Sequence, residues 1–247
     1  MKRSMSLFFV VAAMAASVVA QQVSTTPSSK GARWEKRVEK SAAKAQQGGW
    51  ELVFIGDSIT DFWSNRGKSV WAKYYGNYKT LNLGISGDRT EHVLWRMEHG
   101  ELDGYQPKLF VVMIGTNNTG HRSLEKESPE DTVAGIKAIL DKLGEKAPNS
   151  KVLLLAIFPR GATPQDGRRV RNAKVNAAIE KFADNKRVFW MNINDKLLES
   201  DGTLSKKIMP DLLHPNAKGY EIWAEAMKPF VTKTLAGTST TPKSNMK

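Results

Sequence analysis

Five short segments rich in apolar residues, at residues 52–55, 80–83, 109–114, 152–157 and 188–193, recur along this chain with longer amphipathic stretches between them. A strand with one wet face alternates apolar and polar residues, so runs this continuous belong to strands buried on both faces. Burial on both faces, with a helix-like stretch after each strand, requires a parallel sheet joined by right-handed crossovers. The clearest helices fall at Pro129–Lys146, with Ser128 as a cap before Pro129, and at residues 168–183 and 215–235. The expected fold is α/β: a three-layer α/β/α sandwich, flavodoxin-like, with about five parallel strands.

Outside the body the composition changes. Residues 1–20 run from Lys2 and Arg3 through an apolar stretch to Ala20, the charged, hydrophobic and cleavable order of a secretory signal peptide. The apolar stretch is shorter than the roughly 20 residues needed to span a bilayer. The mature protein is therefore expected to be secreted or periplasmic, with no stable membrane insertion after cleavage. Residues 21–29 read as a flexible linker, 30–235 as the folded domain and 236–247 as a flexible tail, because both flanks are rich in Ser, Thr and other small or polar residues. Cysteine is absent, which removes disulfides and thiolate chemistry. The net charge is +12, from 37 Lys and Arg against 25 Asp and Glu. These cations are spread over the helical segments without interleaved aromatics, so they read as solvated surface, and nucleic acid is not an expected partner.

In a parallel sheet ligands gather at the carboxyl ends of the strands. Gly56-Asp57-Ser58 follows the first run, Gly84 to Asp88 the second, Gly115-Thr116-Asn117-Asn118 the third, and Phe158-Pro159-Arg160-Gly161 the fourth. The Gly-Asp-Ser turn would expose one hydroxyl, making Ser58 a candidate nucleophile. A serine needs a base to take its proton and a carboxylate to orient that base. Among His92, His99, His121 and His214, only His214 follows a carboxylate by three residues, in Asp211-Leu212-Leu213-His214. Taken alone, that spacing also suits a surface turn capping the helix at Pro215. Acyl transfer further requires donors for a developing oxyanion, and the Ser58 backbone N–H, the Gly87 N–H and the Asn117 amide are available. Each of the last two could equally serve its own loop. Asp57 and Asp88 are expected to hold turns by accepting backbone N–H bonds. Trp63, Trp71 and Trp95 could stack on sugar rings or lie in the core. No metal-ligand spacing appears among the histidines, and Gly84-Ile85-Ser86-Gly87 is neither a P-loop nor a dinucleotide fingerprint.

The order Gly-Asp-Ser, Gly, Gly-x-Asn, Asp-x-x-His resembles the SGNH, or GDSL, hydrolases from about residue 52 to 231. The blocks His92-Val93-Leu94-Trp95-Arg96, Gly100-Glu101-Leu102, Pro107-Lys108 and Pro159-Arg160-Gly161 are more narrowly similar to platelet-activating-factor acetylhydrolase Ib catalytic subunits and their bacterial relatives. The resemblance implies Ser58 as nucleophile, His214 as base then acid, Asp211 as orienter, and Ser58, Gly87 and Asn117 as oxyanion donors. It implies no metal or organic cofactor, and it allows a homodimer, because the narrower relatives pair. Thr60 stands where α/β-hydrolases place the second glycine of their nucleophile elbow, so that family's lid is not implied. Ile59 and Leu213, beside nucleophile and base, would crowd the acyl side and go with short acyl groups in the resembled enzymes. The expectation is an exported serine esterase acting on acetyl esters of a small molecule or carbohydrate. The alternatives are a lysophospholipase or thioesterase preferring longer chains, and a non-catalytic binding module on the same fold.

Overall fold

The computed structural model describes residues 23–120 and 128–236. Its centre is a five-stranded, wholly parallel sheet: β1 (Leu52–Gly56), β2 (Thr80–Gly84), β3 (Leu109–Met113), β4 (Lys151–Leu155) and β5 (Val188–Met191), in the order β2-β1-β3-β4-β5. The expected architecture is thus observed. Strand interiors agree with the apolar runs, but β3, β4 and β5 stop earlier, because Ile114, Ile157 and Ile193 are buried beyond the last paired residue. Burial continues where the hydrogen-bonded ladder ends.

Successive residues on each strand point to opposite faces. Val53, Ile55, Leu81, Leu83, Phe110, Val112, Val152 and Leu154 pack with Val93 and Leu94 of α4 (Thr90–Arg96), Ile136, Ile139 and Leu140 of α6 (Pro129–Lys146), and Val175 and Ile179 of α7 (Gly167–Ile179). Leu52, Phe54, Leu109, Val111, Leu153 and Leu155 pack with Val70 and Tyr75 of α3 (Lys68–Tyr75) and Tyr220, Trp223, Met227 and Val231 of α8 (Ala217–Ala236). Helix α1 (Ala32–Ala45) lays Trp34 and Val38 against Ile85 and Trp95 near the end of β2. Two short helices, α2 (Ser58–Asp61) and α5 (Thr116–Gly120), start directly after β1 and β3.

Helix α6 begins where its sequence dictates: the Ser128 hydroxyl accepts from Asp131 N, and the Asp131 carboxylate accepts from Ser128 N. Helix α7 ends sooner than the pattern suggests, passing into a 3-10 turn at Glu180–Phe182. The expected signal peptide and most of the expected tail lie outside the described residues. Within the stretch read as a linker, Val23–Thr25 form a 3-10 turn and Ser24 is fully buried. That segment is docked on the body from residue 23, against the composition-based expectation.

Candidate active site

The Ser58 turn folds down onto the sheet because glycine stands on both neighbouring strands. Gly56 and Gly84 are register partners on β1 and β2. A Cβ on Gly56 would lie 2.4 Å from the Met113 carbonyl, and one on Gly84 would lie 2.2 Å from Asp61 N. At Asp57 the chain leaves the strand, and the Asp57 carboxylate caps α2 by accepting from Ile59 N at 2.9 Å. This is the turn-holding role expected of it. The Tyr220 hydroxyl donates to the Ile59 carbonyl at 2.6 Å, fixing the turn from the α8 side. Ser58 therefore stands at the first position of a helix, 7% exposed.

The sheet brings the distant histidine to this hydroxyl. Ser58 Oγ lies 2.8 Å from His214 Nε2, across 156 positions of sequence. The imidazole is oriented by a tight turn in which Leu212 adopts φ 58°, a left-handed conformation. Asp211 Oδ1 accepts from the backbone N–H groups of Leu213 and His214 at 3.1 and 2.7 Å, and Oδ2 faces His214 Nδ1 at 2.8 Å. With Nδ1–H donated to the carboxylate, Nε2 is left as the acceptor facing the serine. Partial burial opposes ionisation of Asp211, but the His214 backbone, the His214 ring and the Leu213 backbone outweigh it and hold the carboxyl at about 2. It is a permanent anion at neutral pH.

Further contacts brace this pair. Arg66 Nη1 approaches Asp211 Oδ2 at 3.4 Å and its guanidinium lies over the Phe62 ring at 4.9 Å, while that ring sits 5.0 Å from the His214 ring. Gly161 N donates to the Leu212 carbonyl at 2.9 Å, so the loop after β4 supports the histidine turn. Arg160 from the same loop donates to the Thr116 carbonyl at 2.9 Å, tying in the Asn117 loop. Arg66 and Phe62 carried no sequence signal, since nothing local links them to a histidine so far along the chain.

Gly87 and Asn117 come together through Asp88. Gly87 has φ 75°, in a turn closed by Asp88 N donating to Ile85 O at 3.1 Å. The Asn117 amide donates one N–H to the Asp88 carbonyl at 2.8 Å, and a primary amide carries a second. Asp88 itself departs from expectation. Its buried carboxylate meets side chains rather than backbone N–H groups: Trp34 Nε1 at 2.9 Å, Lys30 Nζ at 3.1 Å and Arg96 Nε at 2.8 Å. Arg96 also pairs with Glu101 and donates to the Leu83 carbonyl at 2.8 Å, so the end of β2 is anchored by a buried ionic cluster.

The remaining candidates separate clearly. Leu213 is half-buried beside the base, but Ile59 is 1% exposed and belongs to the core under α8. Of the pair assigned to the acyl side, only Leu213 presents surface there. Trp63 is sealed in the core against Tyr220 and Trp223, while Trp71 and Trp95 are half-buried. His92 Nδ1 accepts from Arg89 N, and His99 stacks on Trp95, so both are structural; His121 lies outside the described residues. Among the described residues no cluster of three or more His, Asp or Glu side chains is arranged to hold a metal ion. Burial raises the Asp57 carboxyl to about 7, against the pull of its Ile59 hydrogen bond.

Residues 54–222 match the model of the GDSL-like lipase/acylhydrolase family. The chain is 35% identical over 205 residues to human platelet-activating factor acetylhydrolase IB subunit alpha1, covering 83% of this chain and 85% of that one. It is 32% identical over 202 residues to the rat alpha2 subunit, covering 80% and 82%. Among solved structures, a GDSL-like lipase from Bacteroides thetaiotaomicron superposes with TM-score 0.65 at 21% identity, over 81% of this chain and 97% of that one. Axe2, an acetylxylan esterase from Geobacillus stearothermophilus, does so with TM-score 0.60 at 19% identity, over 74% and 94%. This chain belongs to the GDSL-like lipase/acylhydrolase family and is a carboxylic ester hydrolase.

Proposed function

We propose that this member of the family is an exported esterase that removes acetyl groups, with carbohydrate O-acetyl esters as the substrate class, through an acyl-Ser58 intermediate. The observation that carries the catalytic assignment is the 2.8 Å contact between Ser58 Oγ and His214 Nε2, with Asp211 on the far side of the ring. His214 Nε2 takes the Ser58 proton as Oγ bonds the ester carbonyl carbon. The oxyanion that forms is met by the N–H groups of Ser58 and Gly87 and the second N–H of the Asn117 amide. Collapse breaks the bond to the alcohol oxygen, which leaves with the proton held on Nε2. Water then loses a proton to the same nitrogen, adds to the acyl carbon and releases acetate, and Ser58 recovers its proton.

Acetyl preference is supported by Leu213, a half-buried apolar side chain next to the base in sequence, and by the word acetylhydrolase in the names of the relatives. The carbohydrate class is supported by the acetylxylan esterase that shares the fold. Export is supported by the charged, apolar and small-residue order of residues 1–20. The test compares acetyl and octanoyl esters of one chromogenic alcohol, then acetylated xylan, using wild type and Ser58→Ala. The proposal expects acetyl to be preferred, acetate to be released from xylan and both activities to vanish with the hydroxyl. Rates that climb with chain length, or turnover that survives in Ser58→Ala, would overturn it.

A further inference from the structure

Residues 23–30 form a strap that is bonded into both loops carrying the oxyanion donors. At its end Lys30 Nζ donates to the Ser86 carbonyl at 2.9 Å and meets Asp88 Oδ1 at 3.1 Å, so it grips the turn on both sides of Gly87. The Ser86 carbonyl and the Gly87 N–H belong to one planar peptide unit and point in opposite directions. Holding the carbonyl therefore sets the direction of the N–H. The rest of that turn is fixed from the nucleophile's own helix, because Asp61 Oδ2 accepts from Ser86 N at 3.1 Å and from Ser86 Oγ at 2.6 Å.

At its start the strap reaches the other donor. Ser24 is fully buried; its carbonyl accepts from Thr90 Oγ1 at 2.8 Å, and its hydroxyl accepts from Asn118 Nδ2 at 3.2 Å, next to Asn117. Between these ends Ser28 N donates to the Glu91 carbonyl at 3.2 Å. Helix α6 makes room for the contact: a Cβ on Gly135 would lie 2.6 Å from the Ser24 carbonyl oxygen and 2.3 Å from Thr90 Oγ1.

We propose that this strap is a positioning device for the oxyanion hole, with Lys30 and Ser24 as positioning residues that fix the Gly87 N–H and the Asn117 loop. The inference rests on reading Gly87 and Asn117 as oxyanion donors. Donors of this kind help only when they are held in place before charge develops, so a loosened Gly87 peptide costs turnover rather than substrate affinity.

The experiment measures kcat and KM for p-nitrophenyl acetate in wild type, Lys30→Met, Lys30→Arg and Ser24→Ala. The rate at which diethyl p-nitrophenyl phosphate labels Ser58 is followed in parallel, with thermal melts to confirm folding. Lys30→Met should lose roughly tenfold in kcat with KM unchanged, less than the ~10²–10³ for deleting a donor outright. Labelling should slow by the same factor, because the phosphoryl oxygen uses the same hole. Lys30→Arg should recover most of the rate, since a guanidinium can still donate to the Ser86 carbonyl, and Ser24→Ala should show a smaller loss of the same kind. The pH midpoint of kcat/KM should not move, as no contact of His214 is touched. A Lys30→Met enzyme within about twofold of wild type, a loss confined to KM, or equal loss in Met and Arg would overturn the strap while leaving the Ser58 assignment intact. A wild type that neither turns over the ester nor is labelled would overturn both.

Discussion

Replacing Asp211 by Asn tests the histidine turn in a way its geometry makes specific. Both backbone N–H groups, from Leu213 and His214, point at Oδ1, at 3.1 and 2.7 Å, while Oδ2 faces the ring Nδ1 at 2.8 Å. An amide has one oxygen and one NH2 group. Its oxygen must take the position facing the two backbone donors, since an NH2 there would face two N–H groups. The NH2 then confronts Nδ1, which can accept only if the ring proton moves to Nε2. That tautomer presents a proton to Ser58 Oγ instead of a lone pair, and the base is lost while the turn survives. By analogy with serine protease triads the cost in kcat is about 10³- to 10⁴-fold, or about 4 to 5.5 kcal/mol at 1.36 kcal/mol per tenfold. The assay is steady-state hydrolysis of p-nitrophenyl acetate by Asp211→Asn and Asp211→Ala, alongside melts. The Asn variant should melt close to wild type yet be no faster than the Ala variant. An Asn variant within about tenfold of wild type would show that the carboxylate does not set the tautomer.

Three other outcomes follow from the same structure. Asp57, whose carboxyl is raised by burial from 3.8 to about 7, binds a proton in the folded state that the unfolded chain releases between those values; the fold is therefore fully stable below pH 4 with respect to this group and loses up to about 4 kcal/mol as pH rises to 7. Denaturant melts across that range should show the loss in wild type and not in Asp57→Asn, and identical slopes would contradict the assignment. Gly84→Ala places a methyl 2.2 Å from Asp61 N and 2.6 Å from Thr60 C, both backbone, so it should destabilise by about 3 kcal/mol or more and slow Ser58 labelling, whereas an unchanged melting temperature would refute the close approach. Leu213→Ala should raise octanoyl turnover relative to acetyl, and an unchanged ratio in paired assays would remove Leu213 as the limit on acyl length.

The sheet was legible because strands buried on both faces leave short apolar runs bounded by turn residues; β2 shows this least, since half-buried Thr80 and Asn82 alternate with its leucines. Strand ends were less so: Ile157 and Ile193 are as buried as residues within the ladder, and composition reports burial rather than pairing. Helix α6 could be read to the residue at its start, because a capping serine and the proline after it carry a local mechanism. In the site, Ser58, Asp211 and His214 were legible because each sits in a turn with its own signature. Ile59 was misjudged because adjacency to a nucleophile says nothing about which way a helical side chain points, and here it points into the core. The strap was missed for a different reason. Two of its bonds run through the Ser24 carbonyl and the Ser28 N–H, groups that every residue possesses, and its side-chain bonds from Lys30 and Ser24 reach partners 56 to 94 positions away, so Ser- and Thr-rich composition could not distinguish it from solvated chain. Arg66 reaches Asp211 from 145 positions away, a contact only the fold creates.

The central claim is that the hydroxyl of Ser58, and no other group, carries the acyl fragment between substrate and water. Rapid acid quench during turnover of an acetyl ester, followed by peptide mass analysis, measures it directly. The account predicts an acetyl adduct on the peptide containing Ser58, accumulating in His214→Ala only at the slow rate of an unassisted serine. Turnover without any Ser58 adduct, or a stoichiometric adduct on another side chain, would contradict it.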